Sequence, residues 1–156
     1  MSRPPGAFAV LLLLAIAAPA YAQEAKVPYW ASIRADAVNL RVGPGPSYRI
    51  EWVYRRALLP LKVIRRKEGW RLVEDPDGVT GWVIGKFLSR KRSAIVAGTG
   101  LADMRKDAAA SAPLLWRLEP GVVAALRDCN AGWCQIEIRG HRGYVREDQL
   151  WGAGEP

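Results

Sequence analysis

Few side chains of this 156-residue chain are suited to covalent chemistry. His141 is its single histidine, and Cys129 and Cys134 are its only cysteines. A cysteine nucleophile requires a thiolate activated by a neighbouring base, and a structural zinc site usually requires four ligands. Two cysteines close in sequence are more economically used in a disulfide. We therefore expect no catalytic residue and no bound metal.

Two loop patterns bear on ion or phosphate binding. Asp75 and Asp77 flank Pro76 in a turn; a calcium site is one interpretation, and solvated turn acids are the preferred one. Residues 43–46 alternate Gly and Pro, and proline lacks the N–H donor with which a glycine-rich loop grips phosphate. We therefore expect no cofactor.

The two cysteines flank residues 130–133, which have the character of a hairpin tip. Facing residues in an antiparallel pair lie about 4.5–5.5 Å apart at Cα, which is within disulfide range. A local disulfide between Cys129 and Cys134 is therefore expected in an oxidising compartment. The sequence leaves open whether the two residues face each other or lie one residue out of register.

Residues 69–88 give the clearest signal of local structure. Two short runs rich in β-forming residues flank the turn at 75–78, where Pro and Gly supply the backbone angles of a chain reversal. The pattern predicts a β-hairpin that ends in a single tight turn at 85–88. The apolar positions of the two strands are Trp70, Leu72 and Val73 on one side and Trp82, Val83 and Ile84 on the other.

The hairpin has a counterpart 62–64 residues later in the chain. Such an offset indicates a small domain duplicated in tandem rather than a solenoid unit. The corresponding pairs are Trp70 and Trp133, Trp82 and Tyr144, Val83 and Val145, Leu88 and Leu150, Arg41 and Arg105, and Trp52 and Trp116.

Short strands joined by Gly/Pro turns predict an all-β fold, because no segment keeps a 3.6-residue period over a dozen residues. Residues 41–48 between the first strands form a long loop that is stiffened by two Pro and two Gly. The corresponding loop at 106–113 does not have this Gly-Pro pattern. Strands are expected at 33–40, 50–54, 61–64, 114–118 and 122–126.

The ends of the chain are expected to lie outside the fold. Arg3, an apolar run at 7–18 and Ala20-Tyr21-Ala22 predict a signal peptide, residues 1–22, cut after Ala22. The alternative is a membrane anchor, but a span needs about 20 apolar residues. Residues 23–30 are read as a loose leader and 152–156 as a frayed tail. A periplasmic or secreted location follows.

Positive charge is concentrated in the first repeat. Residues 31–92 contain fourteen Lys and Arg against six Asp and Glu, a net +8, whereas residues 93–156 contain seven against eight, a net −1. An exported basic module is attracted to anionic surfaces such as wall polymers, phospholipid headgroups or an acidic protein. Plain solubility explains the charge equally well, and export argues against nucleic acid.

The residues of both repeats resemble the bacterial SH3-like (SH3b) domains. The resemblance rests on 38–41 with Gly43-Pro44 and Ser47, on the Gly-Trp pairs of both hairpins, and on Gly81-Trp82-Val83 and Gly143-Tyr144-Val145. It implies two small SH3-like β-barrels, at 31–90 and 94–151, joined by a linker at 91–93. It also implies a non-catalytic module that binds cell-wall peptidoglycan or a protein partner.

SH3-like barrels bind ligands in an aromatic-lined groove beside their long loop. The expected function is therefore recognition of peptidoglycan or a wall-associated peptide by the first repeat, in a protein expected to be monomeric. The alternative is an adaptor or inhibitor of an exported protein. Trp82 and Trp52 have aromatic counterparts in the second repeat, so a packing role is an alternative to a binding role for both. Tyr48 has no such counterpart, which favours a role at the surface. The candidate ligand-binding residues are Arg41, Tyr48, Arg49, Trp52, Tyr54 and Trp82.

Overall fold

The protein is represented by a computed structural model that describes residues 26–156, and these form two seven-stranded antiparallel sheets. The predicted signal peptide, 1–22, lies outside the described residues. Among 26–156, no helix has the length and apolar character needed to cross a bilayer.

The first sheet has the strand order β3-β2-β6-β5-β4-β1-β7. A 3₁₀ turn, Gly85–Phe87, connects its sixth and seventh strands. Its strands are β1 (Tyr29–Ile33), β2 (Val38–Arg41), β3 (Ile50–Tyr54), β4 (Pro60–Lys67), β5 (Trp70–Glu74), β6 (Thr80–Ile84) and β7 (Leu88–Ser89).

The second sheet repeats this order as β10-β9-β13-β12-β11-β8-β14. A second 3₁₀ turn, Glu147–Gln149, occupies the matching place before the last strand. The predicted tandem all-β fold is thus confirmed. The strands are β8 (Ser93–Val96), β9 (Ala102–Arg105), β10 (Leu114–Leu118), β11 (Val123–Asn130), β12 (Trp133–Ile138), β13 (His141–Arg146) and β14 (Leu150–Trp151).

Three strand predictions need correction. The strand predicted at 61–64 is longer, because a register shift between Val63 and Arg65 lets β4 continue pairing with β5 as far as Lys67. The segment 33–40 is not one strand, because β1 lies between β4 and β7 whereas β2 pairs with β3 and β6, so the chain must cross between them at 34–37. No Gly or Pro marks this break. The strand predicted at 122–126 continues to Asn130, because a register shift between Leu126 and Cys129 lets pairing resume past the polar residues.

The ends of the described segment are packed, contrary to prediction. β1 begins at Tyr29, inside the segment read as a leader, and Val27 packs against the first core. At the other end Ala153 is buried, and the Gly154 carbonyl accepts a hydrogen bond of 3.1 Å from the Trp30 indole nitrogen. The domain limits at 31–90 and 94–151 stay a prediction.

Each repeat has its own apolar core, and the same strand positions supply it. Leu40 and Val83 in the first core correspond to Met104 and Val145 in the second, and all four are fully buried. A Cβ added to Gly81 would overlap the Leu40 side chain. The Gly-Trp-Val and Gly-Tyr-Val motifs therefore begin with glycine because the core side chain of the neighbouring strand fills the space of a Cβ.

The two cores meet through an apolar contact between the repeats. Ile95 of β8 is buried within the first core cluster, and Trp151 packs against that cluster from the second repeat. The rings of Trp30 and Trp151 lie edge to face, with centroids 4.7 Å apart. An Arg56 guanidinium nitrogen donates to the Gly121 carbonyl at 2.6 Å. This contact gives each small barrel additional buried apolar area.

The predicted disulfide joins Cys129 and Cys134. The two residues face each other across β11 and β12, with a Cα–Cα distance of 4.0 Å. The register left open by the sequence is therefore the directly opposed one. Both cysteine sulfurs are used in this bond, so neither is available as a thiolate nucleophile.

Candidate functional site

The loop between β2 and β3 is held by one arginine. Arg41 donates through Nη1 to the Tyr48 carbonyl at 2.6 Å, and the Val42 amide donates to the Arg49 carbonyl at 3.1 Å. The Tyr48 ring lies over Gly43, where an added Cβ would overlap it. Tyr48 nevertheless keeps 47% of its surface exposed. The loop thus presents one aromatic ring at the surface on a glycine support.

The second repeat makes the same loop contacts with a different sequence. Arg105 donates to the Ala112 carbonyl at 2.9 Å, and the Lys106 amide donates to the Pro113 carbonyl at 3.0 Å. The arginine clamp therefore belongs to the scaffold of both repeats, although the Gly-Pro pattern occurs only in the first. Ala112, the counterpart of Tyr48, is buried and offers no ring.

Trp52 and Tyr54 line a cleft of about 780 Å³ beside β3. Trp52 is 61% exposed, so of the two roles that compete at this position the structure does not support packing. Val79 is a second exposed apolar residue of this cleft. Because β3 is the edge strand of its sheet, one side of its backbone is also unpaired. The cleft therefore combines an exposed indole with a free strand edge.

Tyr54 is a buried residue that stabilises the wall of this cleft. It is 5% exposed, and its hydroxyl donates to Asp75 Oδ2 at 2.9 Å. The other carboxylate oxygen of Asp75 accepts hydrogen bonds from the Asp77 and Val79 amides at 3.0 and 2.9 Å. Burial, and secondarily the bond to Asp75, raises the pKa of Tyr54 well above its ordinary range. Asp75 thereby ties the β5–β6 turn to β3.

The six candidate residues do not form one continuous surface. Trp82 is 9% exposed and pairs across strands with Arg41 and Leu72, which fits the expected packing role. Arg49 is exposed at the start of β3, 3.8 Å from Glu51. Tyr48 on its loop and Trp52 in its cleft remain the two exposed aromatic groups among the six.

Several residues of the cleft wall were not predicted. Asp75 was expected to be a solvated turn acid, with a calcium ligand as the alternative, but it is buried and accepts the Tyr54 hydrogen bond. Its Asp-Pro-Asp-Gly context is typical of a side chain that caps its own turn. Ile95 and Gly121 come from the second repeat and line the same cleft. No local pattern in the sequence connects them with β3, because that contact depends on how the repeats pack.

The corresponding region of the second repeat has a different character. Trp116, the counterpart of Trp52, is 39% exposed and contacts the His141 ring, with centroids 4.6 Å apart. The two rings line a cleft of about 1090 Å³ that Arg56 and Gly121 also border. Within residues 26–156, no group of three or more His, Cys, Asp or Glu side chains is arranged to hold a metal ion.

Comparison with known proteins places both repeats in one family profile. The bacterial SH3 domain profile matches residues 34–89 and again 99–152. Over 134 residues the chain is 23% identical to YrvJ of Bacillus subtilis (strain 168), which carries the provisional name of an N-acetylmuramoyl-L-alanine amidase. The match covers 80% of this chain but 26% of YrvJ, so this chain spans a minor part of that relative.

Three solved structures show similarity at low identity. NlpC1 and NlpC2 of Trichomonas vaginalis are each 14% identical with a TM-score of 0.36; the matches cover 83% and 82% of this chain and 47% and 49% of those chains. An NlpC/P60 family protein of Bacillus cereus is 13% identical with the same TM-score, and the match covers 79% of this chain and 56% of that one.

Proposed function

Because the chain belongs to the bacterial SH3 domain family, we propose that it is an exported, non-catalytic binding protein. Its ligand is cell-wall peptidoglycan or a wall-associated peptide, held by the first repeat. The observation that carries this proposal is the exposed Trp52 at the mouth of the cleft beside β3. A large apolar ring left in solvent at the edge of a concave site is characteristic of a binding surface.

Four features support the location and the ligand class. The signal-peptide pattern predicts export, and the disulfide between Cys129 and Cys134 suits an oxidising compartment. The similarity to YrvJ, whose provisional name is that of an N-acetylmuramoyl-L-alanine amidase, supports a ligand in the cell wall. The net charge of +8 over 31–92 favours an anionic polymer.

The test is retention of the purified protein on isolated sacculi at low salt. Trp52→Ala removes the exposed indole and should weaken retention by about tenfold or more, as expected for a buried aromatic anchor in a complex. Trp116→Ala, the same change at the matching position of the second repeat, is the control and should leave retention within about twofold. Absence of retention of the wild-type protein would refute the proposal.

A second experiment separates the loop from the cleft. Tyr48→Ala removes the ring on the β2–β3 loop, and we expect weaker retention without loss of folding because Tyr48 is largely exposed. Arg41→Ala is less informative, since Arg41 holds the loop through the Tyr48 carbonyl. Circular dichroism of each variant monitors folding. If Tyr48→Ala is retained on sacculi as well as the wild-type protein is, the β2–β3 loop is not part of the binding site.

A second candidate function is an adaptor or inhibitor that binds an exported protein. The free edge of β3 favours it, because an extended peptide can add a strand to an unpaired sheet edge. This candidate predicts a stoichiometric protein complex that forms without wall material. Binding of the wild-type protein to sacculi freed of protein would favour the wall ligand instead.

A further inference from the structure

The tip of the β4–β5 hairpin carries a dense cluster of positive charge. Residues 65–71 contain four Lys and Arg and a single acid, Glu68, for a net +3. Arg65 and Lys67 are exposed two residues apart on β4. Arg71 of β5 faces Arg66 instead, and its guanidinium donates to the Glu68 and Trp70 carbonyls at 2.9 and 2.8 Å, so this arginine stabilises the turn. The Gly85 amide donates to the Gly69 carbonyl at 2.8 Å and so anchors the turn that carries the exposed Lys86. We call the three exposed cations Arg65, Lys67 and Lys86 the basic tip.

The second repeat shows that the fold does not require this charge. Its hairpin pairs Cys129 with Cys134 and Asn130 with Trp133, as the first pairs Arg66 with Arg71 and Lys67 with Trp70. The tips also share a backbone turn, because Glu68 and Ala131 have φ angles of 51° and 50°. Yet the matching residues 128–134 contain no Lys or Arg and one acid, a net −1.

The counterparts of the basic tip are uncharged or acidic throughout. Asp128 stands in place of Arg65, Asn130 in place of Lys67, and Asp148 in place of Lys86. In the first repeat Arg66 also faces Arg71 directly across the strands, and like charges in that arrangement destabilise a sheet. Since the second hairpin folds without a cation at these three positions, the fold does not require Arg65, Lys67 or Lys86, and they are available for binding.

The shape of the tip indicates what kind of anion it contacts. Within the described residues, the clefts beside Trp52 and Trp116 are lined by other side chains. The exposed cations lie instead around the end of the β4–β5 hairpin, outside these clefts. An exposed cluster outside a groove can approach a flat anionic surface, whereas a peptide or polymer strand is usually held in a groove.

We propose that the basic tip docks the protein on a bilayer surface rich in anionic phospholipid. This goes beyond the proposed function, because a vesicle contains no peptidoglycan and the Trp52 cleft takes no part. Each basic residue near such a surface contributes about fivefold in affinity. The three cations of the tip therefore supply enough attraction for reversible docking that added salt weakens.

The test is co-sedimentation with phosphatidylcholine vesicles that do or do not contain phosphatidylglycerol. We expect wild-type protein to bind the anionic vesicles and not the neutral ones. Arg65→Gln with Lys67→Gln should weaken binding by about 25-fold. The matched control is Lys106→Gln with Arg117→Gln, which removes the same charge from the second repeat and should change binding by about twofold or less.

Three results would overturn the proposal. Wild-type protein that ignores the anionic vesicles, while binding soluble teichoic acid, would assign the tip to an anionic polymer. Equal weakening by the two double variants would show that net charge alone drives binding. If the tip variant binds anionic vesicles as strongly as the wild-type protein, the basic tip does not contact the bilayer. Because the tip side chains of Arg65 and Lys67 are exposed, both double variants should fold, and thermal unfolding checks this.

Sacculus binding is measured separately on the same proteins. When Trp52→Ala is added to the tip variant, it should weaken binding to sacculi by the same factor as in the wild-type protein, since the two sites share no residue. Loss of sacculus binding by Trp52→Ala with intact vesicle binding would show that the wall site and the lipid surface are independent.

Discussion

Removal of the Tyr54 hydroxyl should weaken the first repeat more than any comparable deletion in the second. Tyr54 is buried, and its hydroxyl donates to Asp75 Oδ2 at 2.9 Å. Tyr54→Phe keeps the ring but leaves that oxygen without this donor in a site that water hardly reaches. Hydrogen bonds to charged groups contribute about 1.5–3 kcal/mol to stability, and we expect a loss of that size.

Tyr144→Phe is the matched control. Tyr144 accepts a hydrogen bond of 3.2 Å from Gln135 in the second repeat, where both partners are uncharged and partly buried. The expected loss is about 1 kcal/mol or less. Chemical denaturation at pH 7 measures both variants, and a loss for Tyr54→Phe no larger than that for Tyr144→Phe would contradict the role given to Asp75.

The same contact predicts a pH dependence with a definite sign. Burial, and then the bond to Asp75, raises the pKa of Tyr54 above its ordinary value of 10.0. The stabilisation is complete below pH 10, because the hydroxyl is protonated in both states there. Above pH 10 the unfolded chain loses this proton first, so the free energy of unfolding of the wild-type protein falls as pH rises.

Tyr54→Phe lacks this proton, so its deficit relative to wild type should shrink by about 1 kcal/mol between pH 10 and pH 11. The quantity to compare is the difference in free energy of unfolding between the wild-type protein and Tyr54→Phe, because contributions from other groups are common to both proteins and cancel. Denaturant unfolding at half-unit pH steps measures this difference. A deficit that stays constant from pH 8 to pH 11 would show that Tyr54 is not protected in the folded state.

Three further perturbations test the scaffold, each by denaturant unfolding. Trp133→Ala should destabilise the second repeat by about 3–5 kcal/mol, because it truncates a buried aromatic ring; a smaller loss would place the indole outside the core. Reduction of the Cys129–Cys134 disulfide should expose two thiols and lower stability by about 2 kcal/mol, since the closed loop is short; thiols found before reduction would contradict the bond. Gly81→Ala should cost about 1–3 kcal/mol through overpacking, whereas Gly69→Ala, whose methyl meets open space, should change little; equal effects would refute the packing argument.

The sequence was sufficient for the fold because the pattern occurs twice. The Gly-Trp-Val motif at Gly81 and its copy at Gly143 mark the same close approach to a core side chain, Leu40 or Met104. A repeated local constraint of this kind is readable in a single sequence. The break at 34–37 was missed because no Gly or Pro marks it, and only the sheet order requires the chain to cross there.

The candidate site was less predictable because its walls come from distant segments. The exposure of Trp52 did not follow from its having a counterpart in Trp116, and the contribution of Ile95 depends on the packing of one repeat against the other. The packed position of Ala153 has the same origin, since the tail meets the first repeat near Trp30. Contacts between the repeats leave no periodic trace in the sequence.

The duplication also separates scaffold from recognition at the level of single residues. Arg41 and Arg105 clamp the same loop carbonyl in both copies, so a contact kept in both is explained by folding. Tyr48 is replaced by a buried alanine, and Arg65 by Asp128, in copies with the same strand order. A difference that the second copy tolerates cannot be a requirement of the barrel. We therefore propose that the exposed Tyr48 ring and the basic tip act in binding rather than in folding, in addition to the Trp52 cleft.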